Sequence, residues 1–169
     1  HAYDCQRLDH PPRRYTVEPG KSLEGDWQGG AYDVCVYGPN GFFRSFVGNS
    51  ADAKRPLVAA RIEPMVGGPI NFTLGFEITT RGAKDRIQAT PAAYAEHLAP
   101  KALTPPAQGK PALIEHRWSL MKTSGWYDFV LTREGDPSWK RRYAGRHEIG
   151  GALTSDPAMG GAAMLDWKV

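Results

Sequence analysis

No apolar run in this 169-residue sequence approaches the roughly 20 residues that a helix needs to cross a bilayer, which excludes a helical membrane span. The opening residues His1 to His10 are charged and are followed by Pro11-Pro12, with no apolar stretch between, so no signal peptide is read here. A secreted protein with this sequence would carry its signal upstream. Cysteine is scarce: Cys5 and Cys35 are the two present, compatible either with one disulfide or with two buried thiols. A chain of this size buries roughly 70% of the surface its unfolded form exposes and depends on neither a disulfide nor a metal. Charge of one sign is scarce as well, the net being +3, too little to imply a nucleic-acid partner.

The motifs of common chemistry are also missing. His1, His10, His97, His116 and His147 form no His-x-His or His-x-x-x-His, and there is no Cys-x-x-Cys, so no metal site is expected. Gly20-Lys21-Ser22 looks like the end of a phosphate-binding loop, but Tyr15 stands where that loop needs its first glycine. Neither Gly-x-Ser-x-Gly nor His-Glu-x-x-His occurs, and no Gly-x-Gly-x-x-Gly opens a βαβ unit. No catalytic residue and no cofactor are expected in this chain.

What is present is alternation. From Asn71 to Thr79 the residues Phe72, Leu74, Phe76 and Ile78 alternate with polar or small neighbours, the pattern of a half-buried strand. Val58, Ala60 and Ile62 give a shorter one before Pro64. Further strands are predicted at Ala31–Tyr37, Phe42–Val47, Leu113–Met121, Trp126–Arg133 and Trp139–Ile149. Hairpins are expected to turn at Gly38-Pro39-Asn40-Gly41, with Pro39 and Asn40 as central residues, and at Arg133 to Ser138. Short strands punctuated by Gly and Pro predict an all-β fold, an antiparallel β-sandwich, with Phe72, Leu74, Phe76, Ile78, Trp118, Tyr127 and Phe129 in its core.

The sequence repeats itself. Ala31 to Val34 and Phe42 to Gly48 correspond to Trp126 to Phe129 and Trp139 to Gly145, Trp27 matches Trp118, and Ala2-Tyr3 matches Ala93-Tyr94. The offset is 91 at the tryptophans and 97 at Gly48 and Gly145. These matches imply duplicated units of about 95 residues: 1–48 as the C-terminal half of an incomplete first unit, 49–150 as a complete second, and 151–169 as a tail. The missing strands either lie elsewhere in a longer protein, or residues 1–48 complete a sheet on the second unit.

Asp33 and Asp128 hold matching places, where a carboxylate satisfying strand-end or turn amides is expected rather than a catalytic or calcium role. Asn71-Phe72-Thr73 is a glycosylation sequon in form only. The strand from Trp139 puts Trp139, Arg141 and Tyr143 on one face and Lys140 and Arg142 on the other. Either it is a charged strand that discourages edge pairing, or, with Phe42 and Phe43, it forms a cationic aromatic surface for lipid. The candidate interface residues are therefore Phe42, Phe43, Trp139, Lys140, Arg141 and Arg142.

Three stretches carry a family resemblance: Tyr15 to Lys21, Tyr32-Asp33 with Gly38 to Gly48, and Gly125-Trp126-Tyr127-Asp128. It continues through Arg141 to Gly150 and Ser155 to Met159. In family order, these resemble the duplicated C-terminal domain of bacterial phosphocholine-type phospholipase C. Arg146-His147-Glu148-Ile149 departs from the family's more usual Gly-His-Val-Glu-Thr, which leaves a role for His147 open. The resemblance implies the tail of a secreted or periplasmic, virulence-associated Gram-negative enzyme. Its catalytic phosphoesterase domain would lie upstream and be this chain's partner, with a phospholipid membrane surface as a second partner. The expected role is non-catalytic, assisting lipid engagement or supporting that domain. The alternative is a carbohydrate- or protein-binding β-sandwich module, since fold alone does not dictate function.

Overall fold

The computed structural model describes residues 1–53, 56–64, 72–79, 86–104, 113–120, 122–147 and 155–156, and within β4, β5 and β8 it describes side chains at Val58, Ala60, His116, Trp118 and Ser119. Among the described residues every regular element is a strand: β1 (Ala2–Asp4), β2 (Ala31–Tyr37), β3 (Phe43–Asn49), β4 (Leu57–Pro64), β5 (Phe72–Thr79), β6 (Ile87–Pro91), β7 (Lys101–Leu103), β8 (Leu113–Ser119), β9 (Trp126–Arg133) and β10 (Asp136–Arg146). The all-β expectation holds. Three short strands went unpredicted. In β6, Ile87, Ala89 and Pro91 are buried and alternate with exposed Gln88 and Thr90, but small residues and a closing proline hide the signal.

Two antiparallel sheets result, a seven-stranded one in the order β1-β2-β3-β10-β9-β6-β7 and a three-stranded one in the order β4-β5-β8. They meet where the Trp118 ring of β8 lies 4.3 Å from the Phe129 ring of β9, and where the Tyr143 hydroxyl of β10 donates to the Val58 carbonyl of β4 at 3.4 Å. Trp118, Tyr127 and Phe129 are buried as expected, with Ile87, Leu98, Leu103, Leu120, Leu131, Trp139 and Tyr143 around them. Each such side chain contributes roughly 1.5–3 kcal/mol through the water it escapes. The side chains of Phe72, Leu74, Phe76 and Ile78, and the Asn71 sequon, lie outside the described residues.

Two turns correct the sequence reading. The first is centred one residue later than expected, on Asn40 (φ 55°) and Gly41 (φ 68°), with Phe42 N donating to Pro39 O at 3.0 Å. Positive φ at both central residues is the type I′ geometry, whose twist matches that of the strands it joins. The second turn is also shorter: Asp136 already pairs with Arg133, and the register shifts between Asp136 and Lys140, so Pro137 and Ser138 fall in an irregularity within β10.

The sequence match of Ala2-Tyr3 to Ala93-Tyr94 is not the one the sheet makes. Ala2 and Asp4 stand opposite Val36 and Val34, while Ala89 and Pro91 stand opposite Leu131 and Phe129. Ala93 and Tyr94 fall beyond β6, and the Tyr94 hydroxyl donates to the Asp156 carboxylate. Nor do residues 1–49 stand apart, because β3 pairs directly with β10.

Two measurements probe this framework. Gly125 has φ 86°, and a Cβ there would come within 2.2 Å of the His147 carbonyl oxygen. Gly125→Ala is expected to lower the unfolding free energy by at least about 2 kcal/mol in urea titration; a loss below about 1 kcal/mol would mean the turn relaxes freely. His116, T-shaped against Trp118 at 4.4 Å, is held below its ordinary 6.5 by burial, and secondarily by Lys101. The unfolded imidazole therefore takes up its proton first. The stability that neutral His116 contributes is full above pH 6.5 and is lost as pH falls toward the lower folded value. His116→Gln should flatten this part of the stability curve between about pH 7.5 and 5.5.

Candidate functional site

The seam between β3 and β10 organises the residues singled out in the sequence. Phe46 faces Arg141, Ser45 faces Arg142, and Arg44 faces Tyr143, a register that is twofold symmetric about the Ser45–Arg142 pair. On the inner face two arginines reach across the seam in opposite directions. Arg44 Nη1 donates to the Ala144 carbonyl at 2.6 Å and to the Phe43 carbonyl at 2.8 Å, and its Nη2 donates to the Tyr127 hydroxyl at 2.9 Å. Arg141 Nη1 donates to the carbonyls of Val47 and Lys140, and its Nη2 to the Tyr32 hydroxyl at 2.7 Å. The rings match too: Arg44 lies over Phe42, Tyr127 and Tyr143, and Arg141 over Trp139, Tyr32 and Phe46. Each tyrosine packs its hydroxyl onto a glycine of the neighbouring strand. A Cβ would meet the Tyr32 oxygen at 2.6 Å on Gly48, and the Tyr127 oxygen at 2.8 Å on Gly145.

This arrangement divides the six candidate residues. Trp139 and Arg141, only 2% and 8% exposed, are core and not interface, because the parity of β10 turns them inward against the aromatic rings. Phe42 is 38% exposed at the hairpin tip, and Lys140 is exposed on the outer face. Phe43 and Arg142 are half-buried there. Arg142 spans Asp128 with two bonds of 2.9 and 2.6 Å and covers the Phe43 ring at 5.5 Å. Asp128 thus takes a guanidinium rather than strand-end amides.

The outer face adds residues that the sequence did not flag. The Tyr37 ring lies 4.9 Å from Phe43 and 5.6 Å from Tyr3, making an aromatic row that Arg142 ends. Beside it, Leu8, 71% exposed, and Tyr37, 51% exposed, line with Tyr3 and Cys5 an open recess of about 330 Å³. Tyr3 and Leu8 sit in or after a three-residue strand, too short for its alternation to register. Only the sheet brings them to Tyr37.

The sheet also gathers Cys5, Asp33 and Cys35, whose Sγ and carboxylate atoms lie within 4.8 Å of one another. Both thiols are free. Burial, then the hydrogen bond with Cys35, pushes the Cys5 thiol up to about 12, and burial also raises the Asp33 carboxyl. These donor types suit a zinc-class cation, yet no spacing rule finds them, because one directly follows β1 and two lie on β2. Among the described residues this is the one such grouping.

Comparison with known proteins adds three relationships. Residues 1–49 match the profile of the family described as bacterial phospholipase C, C-terminal domain. The chain is 36% identical, over 94% of its length, to a non-hemolytic phospholipase C of Pseudomonas aeruginosa, of which it covers 23%. It is 35% identical over 89% of its length to a non-hemolytic phospholipase C of Burkholderia pseudomallei, and 31% identical over 90% to a hemolytic phospholipase C of P. aeruginosa. It covers 21% and 22% of these two, so the chain spans about a fifth of the length of the curated relatives it matches.

Arg141 offers a test of the seam. Its guanidinium serves three acceptors in a planar fork that a lysine ammonium cannot reproduce. Arg141→Lys is expected to cost about 2–3 kcal/mol, close to Arg141→Ala, in denaturant unfolding. A Lys variant as stable as the parent would show that charge alone, without the fork, suffices.

Proposed function

From the match of residues 1–49 to the profile of the bacterial phospholipase C C-terminal domain, we propose that the chain is a non-catalytic part of a secreted enzyme cleaving phosphatidylcholine-type phospholipids, and that it helps that enzyme engage the lipid surface. Its partners are then the catalytic phosphoesterase domain of the same polypeptide and the membrane. The observation that carries the lipid role is the outer-face patch. Leu8 and Tyr37 are more than half exposed, Tyr3 and Phe43 extend the apolar surface, and Lys140 stands free to water on the same face. Aromatic and aliphatic side chains favour the headgroup boundary, and each neighbouring cation adds about 1 kcal/mol near acidic lipid. Phe42, at the hairpin tip, adds a second apolar point. Trp139 and Arg141 take no part, being structural.

The patch is testable because Leu8 and Tyr37 bear little of the core. Burying a large apolar side chain in lipid stabilises by roughly 1.5–3 kcal/mol, so the Leu8→Ser, Tyr37→Ser double variant should float with phosphatidylcholine vesicles at least tenfold less well than the parent chain. In the whole enzyme the same variant should lose activity on vesicles and keep it on a soluble phosphocholine ester. Equal flotation, or equal loss on both substrates, removes the lipid role and leaves support of the catalytic domain. Turnover of either substrate by this chain alone would overturn the non-catalytic reading.

A further inference from the structure

Cys5, Asp33 and Cys35 fill one corner of the outer face, all three half-buried, with their ligand atoms within 4.8 Å of one another. The scaffold does not demand these residues there. The twofold about the Ser45–Arg142 pair carries Cys35, opposite Ser45, onto Val130, opposite Arg142, and Asp33, opposite Val47, onto Asp128, opposite Ala144. It carries Cys5 onto Ala92 as well, since Cys5 N donates to the Asp33 carbonyl at 2.8 Å and Ala92 N to the Asp128 carbonyl at 2.9 Å. The same backbone thus holds two thiols beside one hairpin and apolar Ala92 and Val130 beside the other.

The two carboxylates differ too. Asp128 is clasped by Arg142, whereas the position matching Arg142 is Ser45, and the Asp33 carboxylate accepts no hydrogen bond among the described residues. A half-buried carboxylate without a donor is costly, and a cation held jointly with the thiols removes that cost. Lys140 lies across Val47 from Asp33, and Arg142 across Ser45 from Cys35.

We propose that Cys5, Asp33 and Cys35 form a binding site for one zinc-class cation, with the fourth coordination position left to water from the recess beside Cys5. Two thiolates select zinc over calcium or magnesium, which prefer oxygen ligands. Around tetrahedral zinc such sulfur and oxygen atoms stand roughly 3.6–3.8 Å apart, so side-chain rotation is enough to close the site. Binding releases the two thiol protons. Two thiolates and a carboxylate then exceed the dication by one negative charge, which Lys140 and Arg142 face. A disulfide suits the ladder less well. Cys35 stands opposite Tyr3, and Cys5 opposite Asp33, so the thiols meet along a diagonal, where Cβ atoms lie farther apart than the roughly 3.8 Å a disulfide needs. The bound cation would tie the segment after β1 to β2, whether or not the chain engages lipid.

Cobalt(II) and zinc titrations of the 169-residue chain, reduced and freed of metal, test the site. One cobalt per chain should bind with a thiolate-to-cobalt charge-transfer absorption and tetrahedral visible bands; zinc should displace it and calcium should not. Cys5→Ala and Cys35→Val install residue types that the matching positions already carry. Each should weaken zinc binding at least about tenfold, and the double variant should lose the charge-transfer band while keeping its cooperative thermal transition. Asp33→Asn should weaken binding and keep the band. Zinc should raise the thermal midpoint of the parent chain by several degrees and leave that of the double variant unchanged. Absence of the band in the parent, or an equal band and affinity in the double variant, overturns the proposal. So does a Cys5–Cys35 disulfide in the chain isolated without reductant or chelator, which assigns the pair to a covalent link.

Discussion

Two guanidinium groups, one buried and one half-buried, neither with a carboxylate partner among the described residues, hold the centre of the large sheet. Taking a cation out of water is costly unless it is hydrogen-bonded and its charge is spread. Arg44 and Arg141 cross β3–β10 in opposite directions, each giving three hydrogen bonds, to two backbone carbonyls and a tyrosine hydroxyl, among three aromatic rings. The two glycines follow from this, because the tyrosines reach the guanidinium only by lying on a strand without a side chain. So does the register. A one-residue slip of β3 would turn Arg44 to the outer face and bring Phe43 inward, and a slip of β10 would do the same to Arg141 and Lys140.

The outer face has the freedom that the inner face lacks. Its aromatic row is half open to water, its buried carboxylate Asp128 is held by Arg142, and Lys140 stands exposed. One strand thus divides its residues by parity between holding the fold and presenting a surface. The duty of a basic residue in β10 is set by whether its number is odd, as for Arg141, or even, as for Lys140.

This parity was legible in the sequence from the alternation of Trp139, Arg141 and Tyr143 with Lys140 and Arg142. What it meant was not, because a buried arginine reads as an exposed one until its acceptors are known, and those acceptors lie on a strand almost a hundred residues away. The same holds for the Cys5, Asp33 and Cys35 cluster and for the Leu8 and Tyr37 recess, which exist only through the pairing of β1 with β2. The hairpins were readable because their information is local. β2 and β9 begin and end where alternation placed them; their partners β3 and β10 shifted from Phe42–Val47 and Trp139–Ile149 to Phe43–Asn49 and Asp136–Arg146, and the turn centres moved to Asn40-Gly41 in the first and to the residues between Arg133 and Asp136 in the second.

The crossing arginines also bear on how the chain reaches this structure. Each hairpin closes a short loop, whereas β3 meets β10 only after about a hundred residues are drawn together, an entropic cost of roughly 4 kcal/mol. Until then both strands are open edges, ready to pair with any extended chain nearby. A charged guanidinium in the middle of each edge, aimed at the face that must become dry, makes a chance partner costly. Only the other hairpin brings the tyrosine and the second carbonyl that relieve it, so the interaction that closes the sheet also guards its edges against the wrong neighbour while the chain is still searching.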